Sequence, residues 1–199
     1  MISRPLVIGA LVMLAVALAM GSYAWHMRGI SRNELPVTAH QSAVAPPVIG
    51  SSEQVTLYVA YDDIGVLRTE PFRIPLPEAP QQRAEELLRT LLNVYLDKSS
   101  PHPLGTGSEV RNVYLVDPGL AVIDLNSAFA NGHRSGILVE ELTVASLVET
   151  LCANIPGISR VKILVDGKER DTLAGHADLT NFYNVAAVNQ LAAQLRTPQ

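Results

Sequence analysis

The chain has 199 residues, 48% of them apolar and 17% charged, which suits one ordinary domain with appendages. Its formal charge of −4 and pI near 5.7 provide no basic stripe of the kind that phosphate neutralisation needs, so nucleic acid is excluded as a partner. The single cysteine, Cys152, excludes an internal disulfide framework; within ETLCANI it reads as a small buried hydrophobe and not as a nucleophile.

Residues 5–25, PLVIGALVMLAVALAMGSYAW, carry no charge. As a helix the run would be about 32 Å long, enough to cross a bilayer. Ala17-Leu18-Ala19 and Ser22-Tyr23-Ala24 resemble small-residue cleavage sites, so a removed secretory signal competes with a retained anchor. The run is longer than a signal needs, which favours the anchor, and no cysteine stands directly after it to accept a lipid. The expected location is the cytoplasmic membrane, single-pass, with the C-terminal part outside the cytoplasm, or secretion if the segment is cleaved. Residues 26–53 are rich in proline, serine and threonine and lack a hydrophobic period, so they read as a flexible linker. A coil of that length would hold a domain roughly 30 Å from the membrane.

From Gln54 the pattern becomes globular. Val55, Leu57, Val59 and Tyr61 alternate with Thr56, Tyr58 and Ala60, which predicts a strand. In VLRTEPFRIPLP the prolines at 71, 75 and 77 cannot donate to a ladder, confining that segment to an edge or a loop. Residues 80–96 place Ala84, Leu87, Leu88, Leu91, Leu92 and Tyr95 on one stripe, predicting an amphipathic helix begun by Pro80. VRNVYLV and LAVIDL follow as two strands joined by Asp117-Pro118-Gly119, a tight turn in which proline presets one torsion and glycine accepts a positive φ. SAFANGHRSG reads as a polar connection. A second helix is expected over about 137–154, with Leu138, Leu142, Ala145, Val148, Leu151 and Cys152 buried.

RVKILVD sets Val161, Ile163 and Val165 on one face and Arg160 and Lys162 on a solvated one. Asp166-Gly167 suits a two-residue primed turn, after which ERDTLAG is expected to return antiparallel. NFYNVAAVNQLAAQLRTPQ could form a terminal helix on Val185, Val188, Leu191, Ala192 and Leu195. The expected fold is α+β: a small, mostly antiparallel sheet with two helices packed on one face, in β-α-β-β-α-β order with a hairpin arm. Residues 54–180 form the domain and 181–199 a C-terminal extension.

No Gly-x-Ser-x-Gly elbow is present, and the histidines at 26, 40, 102, 133 and 176 never stand at metal-ligand spacing, so neither nucleophilic catalysis, a metal nor another cofactor is expected. The carboxylate pairs Asp62-Asp63, Glu85-Glu86 and Glu140-Glu141 read as a turn and as helix starts or polar faces. Gly105-Thr106-Gly107 is too short for a phosphate cradle. His176, straight after Gly175, could serve proton transfer or ligand binding. With no second catalytic group in reach of the sequence, a hydrogen bond that pins a chain reversal is the favoured role.

Three stretches, TGSEVRNVYLVDPGLAVIDLNSAF, ETLCANIPGISRVKILVDGK and TLAGHADL, together resemble the GerMN domain of sporulation and spore germination proteins. The motif positions are Asp124, in the hairpin ending Ile-Asp-Leu; Asp166 and Gly167, in Val-Asp-Gly-Lys; and Gly175, His176 and Asp178. The resemblance, over about 55–179, implies a small α+β module outside the cytoplasmic membrane, similar to ring-building motifs of envelope-spanning assemblies, with no enzyme activity. It implies a non-catalytic part in self-association or in docking envelope proteins. A second reading has the domain bind or cut a peptidoglycan fragment with His176 and Asp178 or Asp166.

Overall fold

The computed structural model describes residues 52–116 and 118–196. The predicted anchor, most of the linker and Asp117 lie outside them. Two strands open the domain, β1 (Ser52–Tyr61) and β2 (Val66–Pro75), followed by helix α1 (Pro80–Leu96). Strands β3 (Val110–Val116) and β4 (Leu120–Leu125) lead to a short helix α2 (Ser127–Asn131) and to α3 (Ile137–Asn154). Strand β5 (Arg160–Val165), the two-residue β6 (Tyr183–Asn184) and helix α4 (Val185–Leu195) complete the order. Among the described residues no helix is long and apolar enough to cross a membrane.

The fold is a mixed α+β arrangement with two sheets where one was expected. β1 and β2 pair antiparallel as a two-stranded ribbon, and β3-β4-β5-β6 form a second sheet in which β4 and β5 run parallel. The separation has a local cause. Along α3, Ser146, Thr150 and Asn154 recur every four residues, so their side chains share one face. Asn154 accepts from Thr56 N and donates to Thr56 O, Thr150 Oγ1 accepts from Tyr58 N, and Ser146 donates to Tyr58 O. Tyr95 Oη accepts from Ala60 N at 2.9 Å. The edge of β1 that would otherwise recruit another strand is therefore satisfied by helix side chains. The prolines of β2 lie on the opposite strand of the ribbon, as an edge position requires.

All six apolar residues expected on α1 are buried. Each buried leucine contributes roughly 2 kcal/mol relative to exposure. The register of the second sheet puts Val113, Ala121, Ile123, Val161 and Ile163 on one face, every one of them buried. α1 packs on β3 and α3, while α3 packs on β1 and α4. α3 has the expected bounds but not the expected single stripe. Leu138 is exposed, and Thr143, Ser146, Glu149 and Thr150 are buried because neighbours surround most of the helix. SAFANGHRSG, read as a connection, begins with α2, whose start is capped by Asn126 Oδ1 accepting from Phe129 N.

Asp166 and Gly167 have φ of 51° and 71°, as a primed turn needs. The return strand beyond it does not form: one bridge pairs Val165 with Lys168, and the antiparallel place beside β5 is taken by β6. Lys162 is also not solvated. Its Nζ donates to the carbonyls of Leu179 and Thr180 and contacts Glu169, so the segment that replaced the return strand lies over it.

Candidate functional site

The first turn of α3 organises the site. Glu140 is fully buried, and its carboxylate accepts from the backbone N–H of Gly136, Ala174, His176 and Ala177 and from the His176 ring at 3.0 Å. Burial would raise its pKa, but the N–H groups of Ala177 and Ala174 and those of His176 outweigh it and hold the carboxyl at about 2. A carboxylate at the start of a helix also meets the positive end of the helix dipole. The loop 174–177 is thus wrapped around one anion. Gly175 permits the wrap with φ 122°, and a Cβ there would stand 3.4 Å from Ser135 Oγ.

Each residue singled out in the sequence has a definite place. Asp124, Asp166 and Gly167 come together: Asp124 Oδ1 accepts from Gly167 N at 2.7 Å, and Arg111 sits between Asp124 and Asp166. The Arg111 guanidinium, with Ser127, holds the Asp166 carboxyl below its ordinary range. Gly175 and His176 belong to the Glu140 cluster. Asp178 caps its own turn by accepting from Thr180 N, Thr180 Oγ1 and Asn181, which lowers its pKa. The structure brings His176 and Asp178 to one cavity but leaves Asp166 with Arg111.

That cavity, about 610 Å³, lies between the start of α3, the 175–183 segment and α4, and is lined by Ile137, Val144, His176, Tyr183, Val188 and Leu191 among others. A smaller one of about 340 Å³ extends it past Leu138 toward Ile64 in the β1–β2 turn. Glu141 and Leu191 line both. Ile137 is 63% exposed, a large apolar side chain with nothing over it. Burial, then the charges of Asp178, Glu140 and Glu141, pushes the Tyr183 hydroxyl up to about 12. Among the described residues no group of histidines, cysteines and carboxylates could hold a metal ion. Burial, with the nearby charge of Glu149, pushes the Cys152 thiol up to about 12, so it stays protonated at neutral pH.

A buried polar network escaped the sequence reading. His102 Nδ1 stands 2.6 Å from Asp62 Oδ1 and its Nε2 2.8 Å from Thr143 Oγ1, while His133 Nε2 is 2.7 Å from the same hydroxyl. His133 Nδ1 faces the Arg134 carbonyl at 2.7 Å and must carry a hydrogen; burial lowers the His133 pKa, which keeps the ring neutral and its Nε2 an acceptor. The one hydrogen of Thr143 is then claimed by His133 or by the Val139 carbonyl, so His102 Nε2 must donate to the Thr143 oxygen. Asp62 Oδ2 is held by Arg134 at 3.0 Å, and its Oδ1 pairs with His102 Nδ1. No pairwise spacing in the sequence reveals this, since Asp62, His102 and Thr143 are about forty residues apart.

Comparison with known proteins is decided by a family model described as Germane, sporulation and spore germination, which matches residues 56–171, more than half of the chain. The chain belongs to the Germane family. A search of curated proteins found no match. Among solved structures, the first GerMN domain of the sporulation protein GerM from Bacillus subtilis is 21% identical, with 65% of this chain and 95% of that one covered and a TM-score of 0.47. The tandem GerMN domains of the same Bacillus subtilis protein give 21% identity, 66% and 45% coverage, and a TM-score of 0.48. The Germane match spans β1 through the Asp166-Gly167 turn and ends before the Gly175-His176 loop and α4. The walls of the cavity that come from residues 175–191 thus lie beyond the matched range.

Proposed function

We propose that this Germane-family protein is an envelope protein held in the cytoplasmic membrane by residues 5–25, and that its outer domain is a non-catalytic docking module. The observation that carries the docking role is the open apolar groove along α3 and α4, with Ile137, Leu138 and Ile64 exposed around it. The polar groups around it support the same reading. Glu140 and Asp178 are occupied by internal donors, so they hold loops in place and leave no proton-transfer pair at the groove. The occupant is an envelope partner or a second copy of the chain. A photocrosslinker placed at Ile137 in intact cells should trap one discrete adduct, and Leu191→Asp should abolish it. An adduct that persists in that variant would remove the groove from the proposal.

A second reading rests on His176 and Asp178 lining one cavity. With Nδ1 held by Glu140, the His176 ring presents its Nε2 edge to a peptidoglycan fragment. Purified sacculi should then retain the protein and lose the His176→Ala variant. Equal retention of both would end this reading.

A further inference from the structure

We infer that the groove receives a peptide segment that carries a lysine or arginine between apolar side chains, with Glu141 as the carboxylate that takes the cation. The inference rests on the reading of the groove as a docking surface and gives that surface its chemistry. Glu141 lines both cavities and so stands between them, with Ile64 and Leu138 to one side and Val144 and Val188 in the more apolar cavity on the other.

Three observations fix the sign of the ligand. The charged residues among those lining the two cavities are Glu141 and Asp178, and neither a lysine nor an arginine is among them. Beneath the floor, Glu140 adds a buried negative charge whose ionisation is secured by its five donors. The raised pKa of Tyr183 reflects, after burial, the combined field of these carboxylates. An anionic ligand would meet repulsion over the whole length.

Availability separates Glu141 from its neighbours. Asp178 spends both oxygens on Thr180 and Asn181, and Glu140 spends both on the 174–177 loop and Gly136. Glu141 finds no hydrogen-bond or ion-pair partner among the described residues. An unpaired carboxylate bordered by apolar walls gains most from a cation whose stem is itself apolar, and lysine and arginine both have such stems. A sugar chain fits less well, since among the described residues Tyr183 is the one tyrosine, phenylalanine or tryptophan lining either cavity. The combined space of about 610 and 340 Å³ suits several side chains of a short segment.

The test uses the full chain in phosphatidylcholine nanodiscs, with the signal from empty nanodiscs subtracted. Three acetylated, amidated eight-residue peptides of leucine and alanine differ only in a central lysine, glutamine or glutamate, and their affinities are measured by calorimetry at low and high salt. The lysine peptide should bind about tenfold more tightly than the glutamine peptide, the glutamate peptide most weakly, and the preference should shrink as salt is raised. Glu141→Gln, checked for an unchanged melting temperature, should bring the lysine peptide down to the level of the glutamine one. If lysine and glutamine peptides bind equally, or if Glu141→Gln leaves the lysine preference intact, the cation inference fails while docking stands. If none of the three binds, or if Leu191→Asp binds all three as well as the unmodified chain does, the docking reading fails and the inference with it.

Discussion

Glu140 and Glu141 are adjacent on α3 and live in opposite surroundings. One faces inward and is saturated by five donors; the other lines an open groove and has no partner among the described residues. The same helix thus has a side that finishes the fold and a side that leaves something unfinished. Buried polar groups on the first side must be matched at the moment of folding, because an unmatched one costs about 1 to 3 kcal/mol. A half-exposed group on the second side is solvated when free and can exchange water for a ligand. Function is therefore to be sought at polar groups that the chain itself has not used.

The hardest blow to the finished side is Glu140→Ala. It would leave the N–H groups of Ala174, His176 and Ala177 without their acceptor and release the loop from α3. A loss of about 3 to 4 kcal/mol is expected in chemical denaturation; a loss under 1 kcal/mol would mean that the loop is held by something else. The pH dependence has a definite sign. The folded-state pKa is depressed from an ordinary carboxyl value near 4.5 to about 2, so its contribution is complete above about pH 4.5. It is lost as pH falls from there toward 2, with a total on the order of 3 kcal/mol. In Glu140→Gln this portion of the acid sensitivity should vanish.

The histidine network offers the next test. Thr143→Val removes the hydroxyl that both imidazoles share, and leaves two buried ring nitrogens without it. A destabilisation of about 2 kcal/mol follows. Chemical denaturation of the variant checks it, and a loss under about 0.5 kcal/mol would mean that the two rings do not depend on the shared hydroxyl.

The parts of this domain that the sequence disclosed are those whose cause is local. The bounds of α1 follow from three- and four-residue apolar spacing, the end of α3 from Ile155-Pro156-Gly157, and the Asp166-Gly167 turn from its own φ requirements. What stayed hidden depends on partners far along the chain. Ser146, Thr150 and Asn154 look like helix polar residues until β1, about ninety residues earlier, lays its unpaired edge against them. Lys162 reads as solvated until the 179–180 carbonyls close over it. In the site, Glu140, which accepts from the Gly175-His176 loop, read as one of a pair of ordinary helix acids. Its signal was present only in combination: a carboxylate in a first helical turn, and a distant glycine-containing loop rich in free N–H groups.

The smaller effects decide whether the two sides of α3 are as separate as the geometry makes them. His176→Ala deletes one ring hydrogen bond to Glu140 but keeps the backbone N–H of residue 176 as a donor, so a cost of about 1 kcal/mol is expected, well below that of Glu140→Ala. If the two variants cost the same, the ring and not the backbone holds the loop. Glu141→Gln should change stability by less than about 0.5 kcal/mol, because it breaks no bond within the described residues. A larger loss would show that Glu141 already has a partner in the folded chain. A small gain is also consistent, since Glu140, Glu141 and Asp178 are like charges gathered at one end of the helix, and removing the one that has no donor among the described residues relieves their repulsion without breaking a hydrogen bond there.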